Sequence, residues 1–164
     1  MTIDRHSSNF LLHAIALACI AAVALALVSQ YVFDMQPCAW CVLQRLIFLV
    51  IALVCWLGIW GRRLCRHAPR ISAIVAALLA AGGVTAAWYQ YTVASNMFSC
   101  DMTFADRFIS SLGLDAAVPA VFGIFATCMD ARVKLLGVEY ALWGLGLFAA
   151  IAVVALVTAL RRTR

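Results

Sequence analysis

Four long stretches of the chain carry almost no polar side chains, and short polar segments separate them. They fall at about 10–33, 42–60, 71–91 and 140–160, each close to the roughly 20 residues that cross a bilayer as a helix. In lipid such a run must be helical, because a lone strand would leave its backbone amides and carbonyls unpaired. The pattern therefore predicts an all-α fold: an integral membrane four-helix bundle with two extracytoplasmic loops. Residues 1–164 read as a single membrane domain, without an internal repeat or a low-complexity linker. The competing reading of the first run is a cleaved signal peptide, but the run far exceeds the ~7–15 apolar residues of a signal core.

The polar segments carry their own pattern. In 92–139, Phe104, Phe108 and Leu112 recur at i, i+4 and i+8 among Asp106, Arg107, Ser110 and Ser111. That spacing predicts a short amphipathic helix lying in the membrane interface. Anchoring the loop is its first expected role, and substrate recognition its second.

Composition supports the membrane reading. Hydrophobic residues make up 66% of the chain and charged residues 12%, where soluble domains carry about 25% charged. The net charge of +5 does not indicate nucleic acid, because the basic residues form no patch on a soluble surface. They lie between the apolar runs and set orientation. Arg5, Arg62, Arg63, Arg66, Arg70, Arg161, Arg162 and Arg164 sit on one side, which is therefore cytoplasmic together with both termini. The connections 34–41 and 92–139 hold only Arg107, Arg132 and Lys134, with Asp34, Asp101, Asp106, Asp115, Asp130 and Glu139. These are the outer loops.

The cysteines then sort by depth. Cys19 and Cys55 lie within spans and Cys65 in the Arg-rich cytoplasmic loop; small apolar filler or a reduced surface thiol accounts for them. Cys38, Cys41, Cys100 and Cys128 all fall on the outer, oxidising side, where disulfides persist. Cys38-Ala39-Trp40-Cys41 is a C-x-x-C placed just before the second span, with Pro37 restricting its entry. There a thiol meets the unpaired amides and dipole of a helix N-terminus, which favour the reactive thiolate. Zinc sites use the same short spacing. Tetrahedral zinc on the four outer cysteines therefore competes with redox chemistry, as does a pair of structural disulfides. Cys100 and Cys128, far apart in sequence, make a poor second zinc knuckle, and a structural bridge does not explain the reactive placement. No metal is expected.

Arg45 follows Cys41 by four residues, one turn along the same helical face. Snorkelling to the headgroups is its plain explanation. The functional one is that its fixed charge stabilises the Cys41 thiolate and an electron-rich ring beside it, with little part in holding the fold.

At Pro37-Cys38-Ala39-Trp40-Cys41-Val42-Leu43-Gln44-Arg45 the chain resembles the DsbB family, the bacterial disulfide bond formation protein B. Val118-Pro119-Ala120-Val121-Phe122, Cys128, Leu136-Gly137-Val138-Glu139 and Trp143 resemble the family's second outer loop and the entry to its last helix. The likeness spans about 10–160. It implies a protein-disulfide oxidoreductase of the bacterial inner membrane, with periplasmic cysteines and redox disulfides Cys38–Cys41 and Cys100–Cys128. The implied partners are a DsbA-like periplasmic thiol oxidase and the membrane quinone pool, with ubiquinone or menaquinone as the cofactor. A DsbA thiolate attacks Cys100 and frees Cys128; Cys128 pairs transiently with Cys38, leaving Cys41 beside the quinone. Arg45 matches the family's quinone-side arginine. Where members carry a histidine at the outer end of the third helix, this chain has Tyr91, and no role transfers to it. No histidine lies on the outer side, so imidazole is not the proton carrier there. A quinone-linked reductase of the vitamin K epoxide reductase type shares a four-helix bundle and a C-x-x-C, but the match from Val118 to Trp143 speaks against it. A non-enzymatic membrane protein with structural disulfides is the other alternative.

Overall fold

The structure, a computed structural model, describes residues 3–63, 65–96, 102–135 and 137–160. Four long helices carry the chain back and forth: α1 (Ile3–Val32), α2 (Ala39–Gly61), α3 (Ala68–Thr92) and, after the second outer loop, a last helix at Tyr140–Leu160. All four contain a stretch long and apolar enough to cross a membrane. Between α3 and the last helix the loop folds a 3-10 turn (Ala94–Asn96), α4 (Phe104–Ser111), α5 (Leu114–Ala117), α6 (Pro119–Phe122) and a hairpin of β1 (Lys134–Leu135) and β2 (Val138–Glu139). The last helix is α7. The hairpin is antiparallel, Lys134 opposite Glu139, and turns through Gly137 at φ +83°, a left-handed conformation that favours glycine.

Two helices begin three residues before the apolar runs. The run at 42–60 was bounded at the C-x-x-C, but Ala39, Trp40 and Cys41 are themselves apolar and form the first turn of α2. Cys38 is the N-cap, in extended backbone, and the outer loop shortens accordingly. The run at 71–91 gains Ala68, Pro69 and Arg70, because proline near a helix start sacrifices no intrahelical bond.

The bundle closes on small residues. α3 packs chiefly on α7 and α2, and α1 on α2. Ala73, Ala76 and Ala80 of α3 are completely buried among Leu12, Ile51 and Phe148. Small side chains let membrane helices approach, and dispersion contacts then replace the missing hydrophobic drive. At Gly83 a Cβ would run into the Phe148 ring, which stacks on Phe48 at 3.9 Å. Large apolar residues such as Leu25, Leu53, Leu78 and Val153 face outward, as lipid contact requires and a soluble surface does not tolerate over such an area.

The amphipathic helix forms as α4. Thr103 caps it reciprocally with Asp106, a capping box that satisfies two orphan amides. Ala105 and Ile109 are buried in an outer cluster with Cys38, Trp40 and Phe122, while Phe104 and Phe108 stack on each other and face outward with Leu112. The predicted apolar stripe is thus the exposed one.

Sidedness has a direct test. Cysteine probes introduced near Asp115 are expected to label from outside intact cells, and probes near Arg66 are not. External labelling of the Arg66 loop would reverse the orientation.

Candidate active site

The connection between α3 and α7 is strapped over the one between α1 and α2. Pro37 offers its carbonyl to the amides of Phe125 and Ala126, at 3.1 and 3.3 Å. Tyr31 at the end of α1 donates to the Ala120 carbonyl at 2.7 Å. These bonds bring Cys128, two residues beyond Ala126, onto the start of α2. Its thiol is in hydrogen-bonding contact with that of Cys38.

Cys38 and Cys41 stand on either side of the first turn of α2 with their sulfurs 3.1 Å apart. Cys38 is completely buried. Its hydrogen bonds to Cys128 and then Cys41, together with burial, raise its pKa well above the ordinary thiol value. Cys38 therefore keeps its proton and sits between the other two sulfurs. Cys41 is partly exposed and opens onto a cavity of about 750 Å³, well within the range of small-molecule sites. The cavity is lined by residues of α1, α2 and α7, with Gln90 of α3. Leu25, Phe48 and Leu147 give it apolar walls, and Cys41, Gln44, Arg45 and Gln90 supply polar groups at one end.

Arg45 is buried. Its Nη1 donates to Gln30 Oε1 at 2.7 Å and to the Val121 carbonyl at 3.0 Å, and its Nη2 to the Ala26 carbonyl at 3.3 Å. These bonds correct the expectation that Arg45 has little part in the fold, because they tie α1 and the turn at α6 to α2. They also argue against snorkelling, since the guanidinium is directed at fixed protein carbonyls. All three acceptors are neutral, and among the described residues the ion pair is Arg132–Glu139. Among the described residues, the positive charge at the cavity thus has no carboxylate paired with it.

Sequence reading missed Gln30, Gln44 and Gln90. Gln90 Nε2 donates to Cys41 Sγ at 3.2 Å and to Cys38 Sγ at 3.7 Å, while Gln44 Nε2 donates to Gln90 Oε1 at 2.6 Å. The available signal was an amide inside an apolar span, which is costly unless paired. Tyr91 lies against Trp88 and borders a small crevice with Cys128 and Glu139, apart from the large cavity. Cys19 and Cys55 are core residues and Cys65 is exposed. Cys100 lies outside the described residues.

The chain has relatives that match it over nearly its whole length. Residues 8–158 match the family model described as Disulfide bond formation protein DsbB. The chain belongs to the DsbB family. It is similar to Disulfide bond formation protein B of Burkholderia thailandensis, 31% identical over 153 residues, 93% of this chain and 90% of that one. It is likewise similar to that of Herminiimonas arsenicoxydans, 31% identical over 157 residues, covering 95% and 98% of the two chains. Disulfide bond formation protein B 2 of Burkholderia lata is 33% identical over 147 residues, 90% of this chain and 86% of that one. As a DsbB-family member, the chain is a multi-pass membrane protein of disulfide bond formation.

Proposed function

We propose that this DsbB-family protein is a membrane thiol:quinone oxidoreductase. It reoxidises a periplasmic DsbA-like dithiol protein and passes the electrons to a membrane quinone, ubiquinone or menaquinone. The bacterial periplasm is kept oxidising by a DsbA–DsbB–quinone chain of this kind. The observation that carries the reading is the shared cavity: the Cys41 sulfur and the unneutralised Arg45 guanidinium open onto one apolar chamber between membrane helices.

The residues present fit a quinone. A planar ring with two carbonyl oxygens needs an apolar slot and fixed donors, and a prenyl tail needs an exit between helices. Phe48 and Leu147 supply the slot, Arg45 and Gln44 the polar end, and the apolar lining contributed by α1 and α7 the path for the tail. When bound, the quinone supplies a two-electron, two-proton acceptor.

The chain's own groups do the rest. Cys100–Cys128 is the disulfide offered to the partner, whose thiolate attacks Cys100 and displaces Cys128 as a thiolate. Cys128, already against Cys38, attacks that sulfur and frees Cys41 at the cavity. Resolution of the mixed disulfide by the partner's second thiol releases oxidised partner and Cys100, whose thiolate then attacks Cys128, re-forming Cys100–Cys128 and freeing Cys38. When Cys38 and Cys41 return to the disulfide, two electrons and two thiol protons leave the pair together. Arg45 holds positive charge where negative charge develops, and its fixed hydrogen bonds spare the site reorganisation. Four spans with both termini in the cytoplasm and the cysteines in the periplasm, across the inner membrane, complete the reading.

Purified protein given a reduced DsbA-like dithiol protein is expected to reduce added short-chain quinone in proportion to the dithiol oxidised. Dithiol oxidation without any quinone dependence would remove the cofactor assignment.

A further inference from the structure

Gln90 is buried at the outer end of α3, and each of its amide atoms has a partner. Its Oε1 accepts from Gln44 at 2.6 Å, and its Nε2 reaches Cys41 Sγ at 3.2 Å and Cys38 Sγ at 3.7 Å. Arg45, by contrast, donates to Gln30, Val121 and Ala26. The donor in contact with the sulfurs is therefore an amide, and the guanidinium acts from one turn away.

We propose that Gln90 is a catalytic residue that holds the negative charge on the Cys41 sulfur while the Cys38–Cys41 pair is reduced, and that Gln44 is the positioning residue that fixes its orientation. This rests on the thiol:quinone reading only in taking Cys38 and Cys41 as the redox pair. Forming the thiolate moves the Cys41 proton to water at the outer face, and the S–H bond's electron pair stays on sulfur. The charge then needs donors in a place where water is scarce, and hydrogen bonds to a charged group count for more than neutral ones.

Orientation decides the sign. A glutamine amide turned by half a rotation presents its carbonyl, which would accept from a thiol and repel a thiolate. Gln44 prevents that turn by donating its own N–H to Gln90 Oε1. Gln44 is set in turn by α7, which passes it at Gly144: a Cβ there would fall 2.7 Å from Gln44 Oε1. Three helices thus aim one N–H pair at two sulfurs. A bond serving only to join α2 and α3 would need the Gln44–Gln90 contact and not the sulfur contacts.

The test uses the full-length reduced protein in nanodiscs, iodoacetamide as the probe, and mass spectrometry of the Cys41 peptide across pH. Exposed Cys65, on the opposite side, reports reagent and pH effects. Gln90→Met keeps length and burial but removes the donor. It is expected to slow Cys41 alkylation at pH 7 about tenfold, the effect of one charge-assisted hydrogen bond, and to move the rate–pH profile upward. Gln44→Met leaves Gln90 in place and should move the profile the same way by less. A Gln90→Met profile that coincides with wild type, or moves to lower pH, overturns the proposal. If that variant does not fold, Gln44→Met decides by the same criterion. Alkylation needs neither quinone nor partner, so a failure of quinone reduction by the wild type would sink that reading and leave this result standing.

Discussion

Cys41→Ser is expected to abolish quinone reduction completely while leaving a mixed disulfide between Cys100 and the dithiol partner intact. The two halves of that result come from different places. Of the described cysteines, Cys41 lines the large cavity, whereas Cys38 is enclosed between Cys41 and Cys128. Removing Cys41 takes away the sulfur that faces the acceptor, and no neighbouring thiol reaches it. Attack on the outer pair needs only an accessible Cys100 and a leaving Cys128. Cys100→Ser should give the converse: no electrons enter from the partner, but Cys38 and Cys41 still reduce quinone when a small dithiol reduces them directly. Cys38→Ser should stop transfer between the pairs, because Cys38 is the described thiol in contact with both others. Trapped mixed disulfides on non-reducing gels and quinone absorbance measure the two halves separately. Full turnover in all four single variants would make the cysteines structural.

The sequence carried the spans and the position of Arg45, because each depends on local order along the chain. A span is a run, and Cys41 to Arg45 is one helical turn. What it did not carry depends on how distant segments meet. Gln44 and Gln90 lie 46 positions apart, and only the packing of α2 on α3 makes them a pair. The Val121 carbonyl reaches Arg45 across 76 positions, through a loop whose path periodicity does not specify. The cavity likewise draws its walls from α1, α2 and α7, with Gln90 from α3, which no single run of residues encodes. The start of α2 is a related case: Ala39, Trp40 and Cys41 form its first turn because Cys38, in extended backbone, is the N-cap, a boundary that the C-x-x-C spacing alone does not specify.

Arg45→Met is expected to cut quinone-dependent turnover by about a hundredfold, and Arg45→Lys by about tenfold. The scale follows from charge-assisted hydrogen bonds, each worth about 1.5–3 kcal/mol, where every 1.4 kcal/mol is a factor of about ten. Lysine keeps the charge at the cavity but loses the planar fork that reaches Gln30, Val121 and Ala26 together. Methionine loses both. Stability does not follow the same order. Burying an arginine in a span costs about 2.5–3.5 kcal/mol at the helix centre, and three such bonds more than offset that. Methionine inserts without the cost but strands the carbonyls of Gln30 and Val121, so its melting temperature should fall modestly even though insertion is easier. Gln30→Leu separates the two effects: it removes one partner of Arg45 while leaving its charge in place. It should lower the melting temperature as Arg45→Met does, yet keep most of the turnover. The informative measurement is turnover against quinone concentration, with thermal unfolding recorded in parallel. If Arg45→Met melts lower but uses quinone as wild type does, the arginine is a strut for the loop and the quinone binds elsewhere.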